Sequence, residues 1–416
     1  MSPLKRFQQI LILSVIFLLP FYFIKFKYGW ISFNIVELLI LALLAMWFFN
    51  KEKKYFIQNT KYFLPTSLIF SGLLLSIIVN KNHYVGLGVL KGWFILPIIF
   101  AIILFDYLKR DEKLVDKVWS TLFASGALVS VEGVYYWLSG LLTFDGRLKI
   151  FFDSPNQLAM FLAPVFLIGW IKYGFEEPLP SRREGGKGRT LENNWKLWLA
   201  VVGIFLIAFN LYLTKSYGAW LAIAMALGVI FWLKYGKKTH KKYLAVCAII
   251  FVVLIGWASF NKFKNIQSLG DRSSLASRVM IWKSAGLMIE KNPVLGIGPG
   301  HFQNTYLEYQ KYFPPYLEWA VPQPHNLFLA FWLETGLLGL IGFIWLIVVF
   351  FKDNKKARES EFQAAWLCLA IILYFLLHGL IDTTYWRNDM AILFWIVLAV
   401  NLFLVSEKFE RLDKGK

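Results

Sequence analysis

The stretch PHNLFLAFWLETGLLGLIGFIWLIVVFF, residues 324–351, decides the fold. Beyond Pro324, His325 and Asn326 it runs apolar to Phe351 with one carboxylate, Glu334, on the way. As a helix it is long enough to cross the roughly 30 Å of hydrocarbon in a bilayer. Working outward, comparable stretches lie near 8–24, 31–49, 62–79, 85–106, 114–138, 155–171, 197–213, 217–233 and 243–260, and after it near 362–378 and 389–405. That makes about twelve spans. The composition agrees: 58% of 416 residues are hydrophobic and the mean hydropathy is +0.54, far beyond what a soluble core needs. The expected fold class is therefore an all-α polytopic membrane protein, with residues 1–416 forming one transmembrane domain. The first span follows Lys5 and Arg6 as a signal peptide would, yet Phe21, Tyr22 and Phe23 follow Pro20 where a cleavage site needs small residues. An uncleaved signal-anchor is expected.

A net charge of +18 raises the question of nucleic acid, and the distribution answers it. About two-thirds of the 44 lysines and arginines fall in the tails and even-numbered loops, the bias that marks cytoplasmic segments. Clusters such as Lys51/Lys53/Lys54, Lys237/Lys238/Lys241/Lys242 and Lys355/Lys356/Arg358 share that side. Both termini are expected in the cytoplasm, the basic excess reports topology and attraction to membrane lipids, and nucleic acid is excluded as a partner. The region 174–194, rich in Pro, Gly and charge, reads as a flexible cytoplasmic loop. Residues 261–325 read as one long extracytoplasmic loop holding short helices. Cys247 and Cys368 sit inside apolar spans and read as small buried hydrophobes.

The polar residues collect on one face. Arg147 and Asn156 lie in GRLKIFFDSPNQLA (146–159), Lys215 and Tyr217 in the turn LTKSYGAWLA (213–222), and His378 and Asp382 in HGLID (378–382). Arg272, Arg278, His301 and His325 lie in the long loop. Scattered snorkelling side chains divide between both faces, so this convergence points to one outward-facing polar site. Within the loop, SRVMIWKSAGLMIEKNPVLGIGPG (277–300) predicts a helix over 278–291 capped by Ser274 or Ser277, with Val279, Trp282, Ala285 and Ile289 along its apolar stripe and Asn292-Pro293 as its stop. Gly296, Gly298 and Gly300 around Pro299 predict a tight turn. The aromatics Tyr306, Tyr309, Tyr312, Phe313, Tyr316 and Trp319 read as an interfacial belt or as stacking platforms for sugar rings.

Arg278 at the helix start and His325 before the apolar span are the two catalytic candidates, His325 as base or as phosphate ligand. Asn326 reads as a helix cap or a substrate contact, Arg272 as a headgroup anchor or an anion contact. Glu334 is costly inside a span unless paired or protonated, and reads as a helix–helix hydrogen bond or a substrate contact. Glu37 and Lys91, also intramembrane, read as a structural pair. The loop acids show no metal-ligand spacing, so cationic side chains rather than a divalent ion are expected to hold an anionic substrate.

In this order, several motifs resemble those of the O-antigen ligase and polymerase family of bacterial membrane glycosyltransferases. They are Arg147 with Ser154-Pro155-Asn156; Leu213-Thr214 with Ser216 and Gly218; Arg278 and Trp282 with Asn292-Pro293 and Leu295 through Gly300; His325-Asn326 with Glu334, Gly336 and Gly339; and His378 with Asp382. The resemblance covers about 120–390. It implies a GT-C-type fold, an external active site in the bacterial inner membrane and no cofactor or metal. It also implies transfer of a glycan from undecaprenyl diphosphate to a lipid or glycan acceptor. Arg147, Asn156, Lys215, Arg272, Asn326, Glu334, His378 and Asp382 then become substrate-binding candidates. Two positions depart from the family: Tyr217 stands where an arginine is usual, leaving Lys215 to supply the charge, and Gln323-Pro324 stand where ligases often carry another histidine. A polymerase therefore stays open beside a ligase. A transporter or flippase for lipid-linked sugars, which would spread polar residues across the midplane, is the alternative, and a non-catalytic assembly protein is another.

Overall fold

The computed structural model describes residues 3–29, 31–50, 60–80, 83–174, 191–235, 274–314, 321–359 and 363–414. Helices dominate. In chain order they are α1 (Pro3–Phe17), α2 (Ile35–Phe49), α3 (Thr60–Val79), α4 (His83–Val89), α5 (Leu96–Arg110), α6 (Leu114–Leu138), α7 (Pro155–Gly169), α8 (Leu191–Leu213) and α9 (Tyr217–Tyr235). Then follow α10 (Ser274–Lys291), α11 (Phe302–Tyr309), α12 (Leu327–Arg358), α13 (Gln363–His378) and α14 (Asn388–Lys414). A π-helical turn over Leu90–Ile95 joins α4 to α5. Among the described residues seven helical stretches are long and apolar enough to cross a membrane, with shorter apolar ones at Ile35–Phe49, Leu197–Leu213 and Gln363–His378. The chain is a multi-pass membrane protein. The expected span 243–260, most of the expected 174–194 loop, Arg272 and Cys247 lie outside the described residues.

Between α1 and α2 the structure corrects the sequence reading. Helix α1 stops at Phe17 rather than running to 24, and α2 begins at Ile35 rather than 31. The intervening chain forms an antiparallel hairpin, β1 (Lys25–Tyr28) against β2 (Ile31–Asn34). Its alternating KFKY pattern is a period-2 signal that the flanking apolar runs mask. Asn34 caps α2 reciprocally with Glu37.

The longest contact in the bundle is α3 against α12, running antiparallel. A side chain on Gly72 would come within 2.4 Å of the Thr335 carbonyl oxygen, and one on Gly342 within 2.7 Å of that of Pro65. Small residues let these two backbones touch, the means by which helices associate in lipid. In its first third α12 is broken: Gly336 takes φ 69° and ψ 178°. The segment after α10 fills the break. Ile297 N–H donates to the Leu333 carbonyl at 2.7 Å, and Leu337 N–H to that of Val294 at 2.8 Å. Backbone groups freed by the kink are thus satisfied inside the protein, as hydrocarbon requires.

Helix α10 starts at Ser274, a turn earlier than expected, which puts Ser277 inside it and buried. Its inward face is Ile281, Ala285 and Met288, packed with Ile297, Phe302, Tyr306 and Leu333. Val279, expected on that stripe, is exposed. The aromatics divide: Tyr306 is fully buried, Tyr312 is exposed, and Tyr316 and Trp319 lie outside the described residues.

Candidate active site

Five segments that are distant in sequence end together at one end of the bundle. They are the link between α6 and α7, the α8–α9 turn, the start of α10, the start of α12 and the exit of α13. Asp382, just beyond α13, is their hub. Its side chain is only 4% exposed. Oδ1 accepts from His325 Nδ1 at 3.0 Å and from the Thr383 N–H at 2.9 Å. Oδ2 accepts from Asn156 Nδ2 at 3.3 Å and lies 3.7 Å from Arg278 Nη2.

Each partner is fixed a second time. Asn156, in the first turn of α7 behind the Ser154 cap, accepts from Arg147 Nη2 at 2.7 Å. Arg147 Nε donates to the Thr214 carbonyl at 2.7 Å, which ties the α6–α7 link to the α8–α9 turn. Arg278 Nε donates to the Ile381 carbonyl at 2.7 Å. Asn326 caps α12 by accepting from the Phe328 and Leu329 N–H groups, and its Nδ2 donates to the Leu380 carbonyl at 2.9 Å. The two guanidinium groups and the imidazole stay partly exposed, with side-chain exposures of 24% for Arg147, 16% for Arg278 and 32% for His325. A buried carboxylate thus holds one arginine and a histidine directly, and a second arginine through Asn156, each partly exposed.

Electrostatics follow from this arrangement. Burial pushes the Asp382 carboxyl up, but His325, His378 and Arg278 outweigh it and hold it well below the usual carboxylate range. Asp382 is therefore ionised, and an ionised carboxylate only accepts hydrogen bonds. On His325 the nitrogen that meets this carboxylate, Nδ1, therefore carries a proton. Burial lowers the Arg147 pKa, with Asp145 opposing the shift and the neighbouring Arg278 adding to it. Those two cations are close enough to feel each other.

The backbone is strained where the site is. Among the described non-glycine residues, those with positive φ are Ile150 (54°), Lys215 (49°) and His325 (46°). All three lie in segments that form the cluster, and such residues cost on the order of 1–3 kcal/mol each. At Lys215 the twist turns the chain tightly between α8 and α9 and brings Nζ within 3.4 Å of the Asp145 carbonyl.

Two expected site residues stand apart. His378 is buried behind the hub with Nδ1 2.7 Å from the Tyr374 hydroxyl, so it does not face the opening. Glu334 lies well down α12 and accepts from the Gly300 N–H at 3.3 Å, so it belongs to the glycine turn rather than to the cluster. Arg272 lies outside the described residues.

Sequence reasoning missed Arg387. It makes a bidentate pair with Asp389 at 2.6 and 2.7 Å, donates to the Gln157 carbonyl at 2.9 Å and lies over the Phe152 ring. It thereby fastens α14 to the turn that carries Asn156. The Arg-x-Asp spacing at a helix start was its only signal. Glu37 and Lys91 do form the expected pair, at 2.5 Å.

Residues 202–344 match the O-antigen ligase family model. This stretch is similar to the O-antigen ligase domain that the model describes. It contains Lys215, Arg278, His325, Asn326 and Glu334, whereas Arg147, Asn156 and Asp382 lie outside it. The chain is also 26% identical over 212 residues to the O-antigen ligase of Salmonella typhimurium, across 44% of this chain and 50% of that one. It is 21% identical over 267 residues to an uncharacterized protein of Haemophilus influenzae, across 56% of this chain and 66% of the relative. The chain thus spans between half and two-thirds of the length of these relatives. The matched stretch contributes one arginine and the histidine of the cluster, and flanking segments supply the rest.

Proposed function

We propose that this protein is a polysaccharide ligase or polymerase that moves a glycan from undecaprenyl diphosphate to an acceptor hydroxyl, at the outer face of the bacterial inner membrane. The observation that carries the reading is the Asp382 hub, which holds His325 and Arg278 directly and Arg147 through Asn156, all three partly exposed. His325 Nε2 takes the proton of the acceptor hydroxyl. The acceptor oxygen bonds to the anomeric carbon, and the bond from that carbon to the diphosphate oxygen breaks. Negative charge then grows on the departing diphosphate, where Arg147 and Arg278 are held in place to meet it, with Lys215 beside them. Cations fixed before the reaction stabilise such charge more strongly than water does. Asp382 holds His325 in its tautomer and stabilises the imidazolium that forms; Asn156 and Asn326 keep the elements in register.

The topology belongs to the same reading. The seven long stretches, the shorter helices α1, α2, α8 and α13, and the expected 243–260 span make about twelve crossings in a GT-C-like arrangement. Both termini are then cytoplasmic and 261–325 external. A transporter is less well supported. The one charged group deep in α12, Glu334, has a backbone partner, and the helix break beside it is filled by the 294–297 segment.

The deciding experiment supplies purified protein in nanodiscs with an undecaprenyl-diphosphate-linked glycan and an acceptor, and follows the product by gel shift. Wild type should transfer, and His325→Ala should be slower by about 10²–10⁴-fold, the usual contribution of a general base. Wild-type rates for His325→Ala would reject His325 as base, and equal rates for Arg147→Ala and Arg278→Ala as well would reject the site.

A further inference from the structure

The bundle carries a second built feature at the end opposite Asp382. There a cavity of about 740 Å³ opens between the first turn of α3 and the last turns of α12. Lys61, Lys352, Lys355 and Lys356 line it, with Asp353 and Glu359. Buried Asp353 is answered by Lys61 at 3.7 Å, and Lys352 and Lys355 are exposed on the last turns of α12. Lys61 stands at one end of the Lys61–Val79 stretch, which is long and apolar enough to cross a membrane, so the lysines around it gather at one end of that span.

The wall of the cavity continues as an apolar track. Leu64 and Trp345 form its side, and Ile341, Ile344, Trp345 and Val348 are each exposed on α12. These positions recur three or four residues apart and lead in the same helical phase into exposed Lys352 and Lys355. One stripe therefore changes from apolar to cationic at the depth where a phospholipid changes from chain to phosphate. We propose that this groove is a binding site for an acidic phospholipid, with the phosphate among Lys352, Lys355 and Lys356 and an acyl chain along Ile341, Trp345 and Val348. The site is independent of the transfer reaction. It anchors the α3–α12 pair, the backbone contact on which the broken helix rests, to one leaflet.

The test uses the full chain in nanodiscs of phosphatidylcholine containing a minor fraction of phosphatidylglycerol, with lipid retained on re-extraction counted by native mass spectrometry. Wild type should retain phosphatidylglycerol above its bulk fraction. Lys352→Gln, Lys355→Gln and Lys356→Gln should each lower retention by up to about fivefold, as a lysine near an acidic surface contributes, and the triple variant should abolish the enrichment while leaving glycan transfer intact. Trp345→Ala should also lower it without changing charge. Millimolar inorganic phosphate should not displace the lipid, because it offers nothing to the apolar track. Displacement by phosphate would show a free-anion site and overturn the proposal, as would equal retention by wild type and the triple variant. Should the triple variant fail to run as a single species, the wild type decides alone: no enrichment at low salt overturns the proposal.

Discussion

Asp382 is the residue on which most depends, because one side chain sets the charge, the tautomer and the position of its neighbours. Asp382→Asn keeps the shape and removes the charge. Breaking a buried pair by removing one partner costs about 3–5 kcal/mol, so the variant should unfold at a lower temperature and transfer poorly even where it folds. The pH dependence has a definite sign. The folded pKa is depressed, so the stability that Asp382 contributes is fully present above its unfolded value of about 3.9 and is lost as pH falls through the folded value. The difference in thermal midpoint between wild type and Asp382→Asn should therefore be flat from about pH 5 to 8 and shrink only below about pH 4. A difference that vanished near pH 6 would mean the carboxyl is not held ionised as described. Arg278→Lys should lower transfer roughly ten- to a hundredfold, the loss of one charged hydrogen bond, because an ammonium cannot make the planar contact of guanidinium. Arg278 and His325 were legible in the sequence because their neighbourhoods are unusual. The hub role of Asp382 was not, since its bonds reach back 226 and 57 positions and leave no local trace.

Among the elements, α12 shows how far hydropathy reaches. Its apolar run foretold a span, but not the break at Gly336, because a glycine in a membrane helix reads the same whether it allows close packing or a reversal of the chain. The structure tells these apart. At φ 69° and ψ 178° a side chain is disfavoured, and here it would lie 2.5 Å from the Val294 carbonyl oxygen. Gly336→Ala should therefore cost more than the 1–3 kcal/mol of backbone strain alone, with a clear drop in thermal midpoint in nanodiscs. Gly286→Ala, whose site has open space around it, should be neutral or slightly stabilising, since alanine favours the helix. The hairpin between α1 and α2 is the element that the sequence concealed. Eight paired residues between two apolar runs were absorbed into those runs, and only the Lys–aromatic alternation of β1 betrayed them.

For the molecule as a whole, the pattern of lysine and arginine makes a prediction that geometry alone does not. In right-side-out vesicles a cysteine at Lys264 should label with an impermeant maleimide and one at Lys238 should not; the reverse outcome would put the Asp382 cluster on the wrong side for an exported glycan. Transfer should also survive EDTA, because fixed cations take the place of a divalent ion in the proposed reaction, and strict dependence on added Mg²⁺ or Mn²⁺ would refute that. Hydropathy and charge bias made the class of the protein legible, since both are set segment by segment by the bilayer. The convergence of five segments was legible only as a shared face. The order of the cluster along the chain has a consequence for biogenesis. Arg147, Asn156, Arg278 and His325 all leave the ribosome before Asp382, so each is inserted without the carboxylate that later joins them. The site is born last, and a nascent chain already threaded through most of its helices is still catalytically silent. A chain stopped at Gly379 should reach the membrane and turn over nothing, with its N-terminal helices protected from protease and its α10–α12 region cut readily.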